Sequence, residues 1–366
     1  MSTAVQQTPP AAPETKGAGS PWRRRFEEAL LPPLVAILAA MVVGDLLILS
    51  FGQSPGHVYG LLLEGTWGNA YGFGQVLYKT TTLTFTGLAV ALALRAGLFN
   101  IGAEGQLAAG GFVAAVIGLV LPAGTPGLLA VPLCILAAAM GGGVVGAVPG
   151  ALKARFGAHE VIVTIMLNFI ALALLNWLVA AHLHVPETLH TPDINAGRVP
   201  RLGGVFTGSA ANWILLLALA TAAAVWFYLF RTRRGYELRA VGLQPDAAEY
   251  AGVRVGGVWM RAMAVSGALA GLGGVNFVLG YKHYYEDGFA GGAGFLGIAV
   301  ALVGRNDPVG VVLAALFFAT LSQGGLAINA VVPKQMVEVL QGVVILAVAI
   351  AVPEVRRLLR TRARRA

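Results

Sequence analysis

Apolar runs of membrane-spanning length limit the fold of this chain more than any other feature. A helix of about 20 apolar residues crosses a hydrocarbon core of roughly 30 Å. Runs bounded by glycine, proline or charge lie at residues 30–51, 76–94, 105–121, 128–150, 160–182, 211–230, 258–279, 292–304, 308–328 and 336–352. With 57% apolar and 11% charged residues, the sequence predicts an all-α polytopic membrane protein with about ten transmembrane helices.

One of these runs, 292–304, is too short to cross a bilayer as a continuous helix. Gly291, Gly292, Gly294 and Gly297 lie at its start and favour irregular backbone. Transporters use interrupted helices of this kind near the bilayer midplane. We therefore predict a half-helix or a re-entrant segment at this position.

The distribution of basic residues predicts the orientation of the chain. Cytoplasmic loops of membrane proteins are enriched in Lys and Arg. If the predicted spans alternate, only five of the 25 basic residues fall on the side opposite the N-terminus, namely Lys79, Arg198, Arg201, Lys282 and Lys334. Both termini are therefore predicted to be cytoplasmic.

The composition of the two ends divides the chain into three parts. Residues 1–29 are predicted to form a disordered cytoplasmic tail with a basic flank, residues 30–352 the transmembrane domain, and residues 353–366 a basic cytoplasmic tail. The net charge of +8 sits at the ends of spans, which favours membrane orientation over nucleic-acid binding. Cys134 is the single cysteine and lies in an apolar run, so an intrachain disulfide is excluded.

Polar side chains at membrane depth mark the candidate functional residues. The segment 95–106 reads Arg-Ala-Gly-Leu-Phe-Asn-Ile-Gly-Ala-Glu-Gly-Gln and lies between two apolar runs. A charge at the bilayer centre costs roughly 2.5 to 3.5 kcal/mol, so such groups face a pathway, a bundle interior or water. The candidate residues of a translocation path are Asn100, Glu104, Gln106, Thr164, Asn168 and Asn276.

A structural role is the alternative for the same residues. Buried amides often tie transmembrane helices together, and Glu104 would in that case pair with Arg95 as a latch. The threonine run on the second span has two interpretations as well, because its hydroxyls can line a wet path or bond their own helix backbone. Its members are Thr80, Thr81, Thr82, Thr84 and Thr86.

Two kinds of motif are missing from the sequence. It contains no Gly-x-x-x-x-Gly-Lys-Ser/Thr phosphate loop and no His-Glu-x-x-His helix. We therefore expect neither an ATPase nor a zinc hydrolase, and no bound cofactor. His182, His184 and His190 share one loop without an acidic cluster at ligand spacing, so no metal site is predicted there.

The longest basic loop, 231–257, carries a predicted short helix. Pro245 suits the first helical position, Asp246 favours the positive end, and Gly252 suits the position after the last turn. A helix of about two turns is not stable alone in water, so it docks either on a partner or on the ends of the spans. The residues singled out for partner contact are Arg239, Gly242, Pro245, Ala247, Ala248, Tyr250 and Gly252.

Four segments of the chain resemble the permease subunits of bacterial nucleoside-type ABC importers, within the wider ribose and simple-sugar ABC permease superfamily. They are 97–106, 155–168, the loop 235–252, and Gly297-Ile-Ala-Val-Ala-Leu-Val-Gly-Arg305. The resemblance runs in order from about residue 30 to 352.

This resemblance implies a function and a set of partners. A permease of this type forms the path for nucleosides in the bacterial cytoplasmic (inner) membrane, and a separate cytoplasmic ATPase binds the ATP. It also implies a second permease subunit in a heteromeric pair and an extracytoplasmic substrate-binding lipoprotein. The alternatives are a simple-sugar permease of the same superfamily, or an ion-coupled secondary transporter with Asp45, Glu104 and Glu338 as ion carriers.

Overall fold

The computed structural model describes residues 38, 39, 41–333 and 335–347. The predicted terminal tails, 1–29 and 353–366, lie outside these residues. The described helices, in chain order, are α1 (Met41–Ser50), α2 (Pro55–Thr66), α3 (Ala70–Arg95), α4 (Ala103–Val120), α5 (Gly127–Phe156), α6 (Glu160–Leu178), α7 (Ile214–Arg231), α8 (Arg233–Leu243), α9 (Pro245–Tyr250), α10 (Val255–Phe277), α11 (Ala293–Val303), α12 (Pro308–Ala327) and α13 (Gln335–Ala347).

Seven helices in the described part of the chain are long and apolar enough to span a membrane. They are α3, α4, α5, α6, α7, α10 and α12, with α6 and α10 each extended by one π-helical turn, Val179–Leu183 and Val278–Lys282. The bent pair of α1 and α2 makes an eighth if it is counted as one span. The predicted helical membrane fold is thus confirmed, whereas the count of ten is not.

The predicted span over 30–51 is described at residues 38, 39 and 41–51, and a sharp bend that the sequence analysis did not predict follows it. Helix α1 ends at Ser50, Gly52 has a positive φ of 72°, and α2 leaves at an angle of 109°. Ser54 caps α2 by accepting a hydrogen bond from the backbone N–H of His57, 3.4 Å away. The sequence analysis missed α2 because its polar residues, such as His57 and Glu64, interrupt the apolar pattern.

Helices α3, α4 and α10 form the centre of the bundle, and α5, α6 and α7 lie at its periphery. Backbone contact between α5 and α10 depends on glycine, since a Cβ added to Gly146 would lie 2.8 Å from the Cα of Gly267. Gly142 meets Gly271 in the same way. Their four-residue spacing on each helix by itself predicts close packing of two transmembrane helices through small residues, and the structure confirms it.

Glycines with a left-handed backbone conformation lie at the ends of the short helices α9 and α11. Helix α11 has 11 residues and begins after Gly291 and Gly292, whose φ values of 54° and 83° are left-handed. Helix α9 begins at Pro245, as predicted, and Gly252 follows it with a φ of 82°. Helix α8 precedes α9 in the predicted loop, and its N-cap Thr232 accepts from the Gly235 N–H.

Candidate functional site

A cavity of about 640 Å³ opens between α3, α11, α12 and α13. Its volume falls within the range of small-molecule sites, roughly 300 to 1,000 Å³. Aromatic and polar side chains face it together. The residues around it are Tyr78, Lys79, Thr82, Leu83, Phe289, Ala290, Gly291, Gly292, Ala293, Phe295, Leu296, Ser322, Gly325, Leu326, Val337, Glu338, Gln341, Gly342 and Ile345.

One polar contact joins the two long helices of the cavity. The Nζ of Lys79 on α3 donates to the Oγ of Ser322 on α12, 3.1 Å away. Gln341 and Glu338 contribute further polar groups from α13. The cavity therefore combines hydrogen-bonding groups with the rings of aromatic residues such as Phe295.

Glu104, one of the predicted path residues, lies directly behind the cavity wall. Its two carboxylate oxygens accept hydrogen bonds from the backbone N–H groups of Gly292 and Gly294, at 2.8 and 2.7 Å. The side chain is buried, with 6% exposure. The predicted latch to Arg95 is wrong, because the Nε of Arg95 donates instead to the carbonyl of Asn306 at 2.9 Å.

Asn276 lies behind a second wall, formed by α3. Its Nδ2 donates to the carbonyl of Tyr78 at 2.9 Å and to the hydroxyl of Thr82 at 2.8 Å. Its Oδ1 accepts from the Nδ2 of Asn212, also at 2.9 Å. Asn276 is fully buried and thus fixes two lining residues without facing the cavity itself.

Asn100 and Gln106 form the centre of a separate buried cluster. The Nδ2 of Asn100 donates to the Oε1 of Gln106 and to the Oγ of Ser266, each at 2.8 Å. The Oδ1 of Asn100 accepts from the Gly102 N–H at 2.9 Å. Ser266 in turn donates to the Ala89 carbonyl at 2.6 Å, so this cluster joins α3, α4 and α10.

Thr164 and Asn168 hold the same turn from α6. The Oδ1 of Asn168 accepts from the Gly105 N–H at 2.9 Å, and its Nδ2 donates to the Ile101 carbonyl at 2.8 Å. The Thr164 hydroxyl accepts from the Ile101 N–H at 3.3 Å. We call Asn100, Gln106, Thr164, Asn168 and Ser266 the framework cluster.

Of the six predicted path residues, Glu104 and Asn276 bond residues of the cavity wall, whereas Asn100, Gln106, Thr164 and Asn168 lie in the separate framework cluster. None of the six is among the residues that line the cavity. The sequence analysis missed Tyr78, Ser322 and Gln341 as candidates. The sequence feature that could have identified these cavity residues is Lys79, because a charged lysine inside an apolar span is energetically costly. Lys79 also directly precedes the threonine run.

The threonines of α3 divide between the two predicted roles. Thr80 and Thr81 donate to carbonyls one turn earlier on their own helix, at 2.7 and 2.9 Å. Thr82 lines the cavity. Thr86 also reaches another helix, where its hydroxyl donates to the Ala293 carbonyl at 3.1 Å.

The predicted partner-contact residues lie at one end of the bundle, and they do not all face outward. Tyr250 is 95% exposed and Ala247 is exposed, but Ala248 is buried with 5% exposure. The expectation that Ala248 is free for contact is therefore wrong, because its side of α9 packs on the hydrophobic core. Arg239 lies over the ring of Phe230, 5.1 Å from its centroid.

The opposite end of the bundle carries aromatic and basic groups next to the cavity. The rings of Tyr78 and Tyr281 lie 5.3 Å apart, and the guanidinium of Arg201 lies 5.0 Å from the Tyr281 ring centroid. Burial, together with the charges of Arg198 and Arg201, lowers the pKa of His283, which favours its neutral form. Among the described residues, no group of three or more His, Cys, Asp or Glu side chains is placed to hold a metal ion.

Comparison with known proteins places most of the chain in one family. Residues 72–349 match the family model described as "Branched-chain amino acid transport system / permease component". The guanosine ABC transporter permease protein NupP of Bacillus subtilis is 40% identical over 87% of this chain and 93% of its own length. The nucleoside ABC transporter permease protein NupB of Lactococcus lactis is 35% identical over 88% and 91%.

A third relative carries a different substrate in its name. The glucose ABC transporter permease protein TsgB13 of Haloferax volcanii is 34% identical over 86% of this chain and 85% of its own length. No solved structure matches the chain. The predicted membership is thereby confirmed: this chain belongs to the ABC transporter permease family, as a multi-pass membrane component of such a transporter.

Proposed function

We propose that this chain forms the path for nucleosides in a bacterial ABC importer, and that the path runs through the cavity between α3, α11, α12 and α13. The names of two relatives, guanosine and nucleoside permeases at 40% and 35% identity, support the substrate class. The observation that carries the proposal is the meeting of aromatic and polar side chains in one cavity at membrane depth.

The chemistry of the cavity suits the two parts of a nucleoside. The aromatic side chains provide apolar faces for a flat base. Thr82, Ser322 and Gln341 offer hydroxyl and amide groups to the ribose, at about 0.5 to 1.5 kcal/mol per neutral hydrogen bond. In this proposal Glu104 and Asn276 support the path from behind, and the framework cluster joins the helices around it.

A simple sugar is the second candidate substrate. The 34% identical relative named for glucose supports it. The polar groups would serve a sugar equally well, whereas the aromatic side chains favour a base. Direct competition between the two solutes in uptake decides between them.

The energy for transport comes, in this proposal, from ATP bound to a separate subunit. The sequence holds no phosphate loop, and α8 and α9 expose Leu243 and Tyr250 at 85% and 95%. Arg95 and Arg239 lie over the same Phe230 ring, at 5.6 and 5.1 Å from its centroid. A push on α8 would therefore reach the end of α3 and, through the Arg95 contact with Asn306, the end of α11.

Docking of the ATPase on the exposed side of α9 can be tested at Ala247. Ala247→Glu places a charge and extra volume on the outward side of α9, so we expect the ATPase to be lost on co-purification. Ala247→Ser is the matched control and keeps the partner. Retention of the ATPase by Ala247→Glu would contradict docking at α9.

The membrane arrangement in this proposal is ten passes with both termini in the cytoplasm of a bacterial inner membrane. The elements beyond the seven long helices that complete this count are the bent pair of α1 and α2, the helix α13, and α11 as the predicted half-helix or re-entrant segment. The separation of basic residues between alternate loops supports the orientation. We further propose a heteromeric pair with a second permease and delivery by a lipoprotein.

Uptake by the complete importer tests the function. The chain is reconstituted in proteoliposomes with its ATPase, the second permease and the binding lipoprotein, and ion gradients are collapsed with ionophores. We expect guanosine uptake that requires ATP and is not reduced by excess glucose. Uptake of glucose but not guanosine would favour the sugar permease, and uptake that needs an ion gradient but no ATP would overturn the ABC mechanism for this chain.

A further inference from the structure

Two helix N-termini meet at the carboxylate of Glu104. Glu104 lies in the first turn of α4, and its oxygens accept the N–H groups of Gly292 and Gly294 at the start of α11. A Cβ added to Gly294 would lie 2.7 Å from the carbonyl carbon of Ala103, so the two helix starts are in backbone contact. The positive ends of both helices therefore stabilise one buried acid.

The start of α11 is also fixed from the side of α3. The Thr86 hydroxyl donates to the Ala293 carbonyl at 3.1 Å. A Cβ added to Gly297 would lie 2.7 Å from the Cβ of Thr86. Helix α11 has only 11 residues, so these contacts and those of Glu104 hold a large part of its length.

The same turn of α11 forms a wall of the cavity. Gly292, Ala293 and Phe295 line the open volume, while the N–H groups of Gly292 and Gly294 point away from it to Glu104. A movement of this turn changes the shape of the cavity directly. Glu104 can therefore act on the path without touching a solute.

We infer that Glu104 is a positioning residue for transport, which holds the first turn of α11 as the wall of the path. This inference rests on the proposed function only in taking the cavity as the path. It explains why an acid is present at this depth. A glutamine at position 104 keeps one acceptor oxygen, but its NH₂ group would face a backbone N–H, so the wall loses one of its two hydrogen bonds.

The test compares Glu104→Gln with Glu160→Gln. Glu160 is a matched control, because its side chain is also largely buried, with 13% exposure, and pairs with the Nζ of Lys153 at 2.7 Å, but it does not line the cavity. The first measurement is the labelling rate of Phe295→Cys by a small thiol reagent in a Cys134→Ala background. The second is the apparent KM and the maximal rate of ATP-driven guanosine uptake in chains without the reporter cysteine.

We expect Glu104→Gln to raise both the labelling rate of Phe295→Cys and the apparent KM for guanosine by about tenfold, since a charge-assisted hydrogen bond is lost. The maximal rate at saturating guanosine stays within about twofold, because the contacts with solute are retained. Glu160→Gln changes neither quantity. Labelling and KM for Glu104→Gln within twofold of this control would overturn the inference.

Two further results separate failure of folding and failure of the proposed function. If Glu104→Gln does not yield folded protein, Thr86→Val loosens the same turn from the other side and is judged by the same measurements. If the unaltered importer takes up no guanosine, the proposed substrate is wrong. The labelling comparison needs no substrate and still decides the role of Glu104.

Discussion

The framework cluster and the cavity are both polar regions inside an apolar bundle, yet they differ in what their polar groups face. In the framework cluster, Asn100 and Gln106 bond each other, and Asn100 also donates to Ser266, so these hydrogen-bonding groups are used inside the protein. In the cavity, Thr82, Ser322 and Gln341 border open volume. Polar residues at membrane depth therefore serve two purposes, and only their hydrogen-bond partners tell these apart.

Glu104 and Asn276 share one property with each of the two regions. Each is buried like the framework cluster, and each bonds a residue that lines the cavity. Glu104, in the polar segment 95–106, thus supports the cavity wall from behind. The residues that border the cavity include threonine, serine, tyrosine and glutamine, which belong to no recognised sequence motif. Substitutions in the framework cluster and in the cavity should therefore separate an effect on protein stability from an effect on solute affinity.

The largest expected effect is on the framework cluster. Asn100→Leu leaves the Gln106 side chain and the Gly102 N–H without their partner, and each unpartnered buried group costs about 1–3 kcal/mol. We expect the free energy of unfolding to fall by about 2–4 kcal/mol. Thermal unfolding of the purified protein measures this. Gln341→Leu in the cavity is the control, and an equal loss of stability there would break the distinction.

A cavity aromatic is expected to show the opposite behaviour. Phe295→Ala removes a ring that is 47% exposed and borders the cavity, so its packing contribution to stability is small. Stacking of a base on an aromatic ring is worth about 1–3 kcal/mol, which predicts a roughly 5- to 150-fold higher apparent KM for guanosine. Uptake kinetics with guanosine measure it. An unchanged KM in a fully folded variant would exclude Phe295 from the solute contacts.

The smallest expected effects distinguish two neighbouring threonines. Thr82→Val removes the hydroxyl that borders the cavity and accepts from Asn276, which predicts about a two- to tenfold rise in KM. Thr80→Val removes a hydroxyl that bonds only the Val76 carbonyl of its own helix, so we expect no more than about 0.5 kcal/mol of change in stability and none in KM. Equal effects on guanosine uptake would mean that the α3 face is assigned incorrectly.

The sequence predicted which residues are buried and where helices pack closely better than it predicted which neighbour a given side chain faces. The glycine stripes at Gly146 and Gly267 and the start of α9 at Pro245 follow from local spacing and backbone rules, and both are found. The cost of burying Glu104 correctly indicated that it would need partners. Local rules such as these need no knowledge of the neighbouring helices.

The side to which each side chain points was harder to predict, because nearly every face of these helices is apolar and no polar face distinguishes the inner side from the outer one. Ala248 faces the core rather than a partner, and Glu104 faces α11 rather than Arg95. Both depend on contacts between segments far apart in sequence, since Glu104 and Gly294 are 190 positions apart. The cavity itself is formed by α3, α11, α12 and α13 together, so no single sequence motif predicts it.

Solute protection of a cavity cysteine tests the central claim that the path runs between α3 and α12. Ser322→Cys places a thiol on the cavity surface in a Cys134→Ala background, and the complete importer is labelled with a small thiol reagent during ATP-driven uptake. We expect guanosine to slow the labelling in proportion to its saturation of uptake. Labelling that is unaffected by guanosine, while uptake continues, would contradict it.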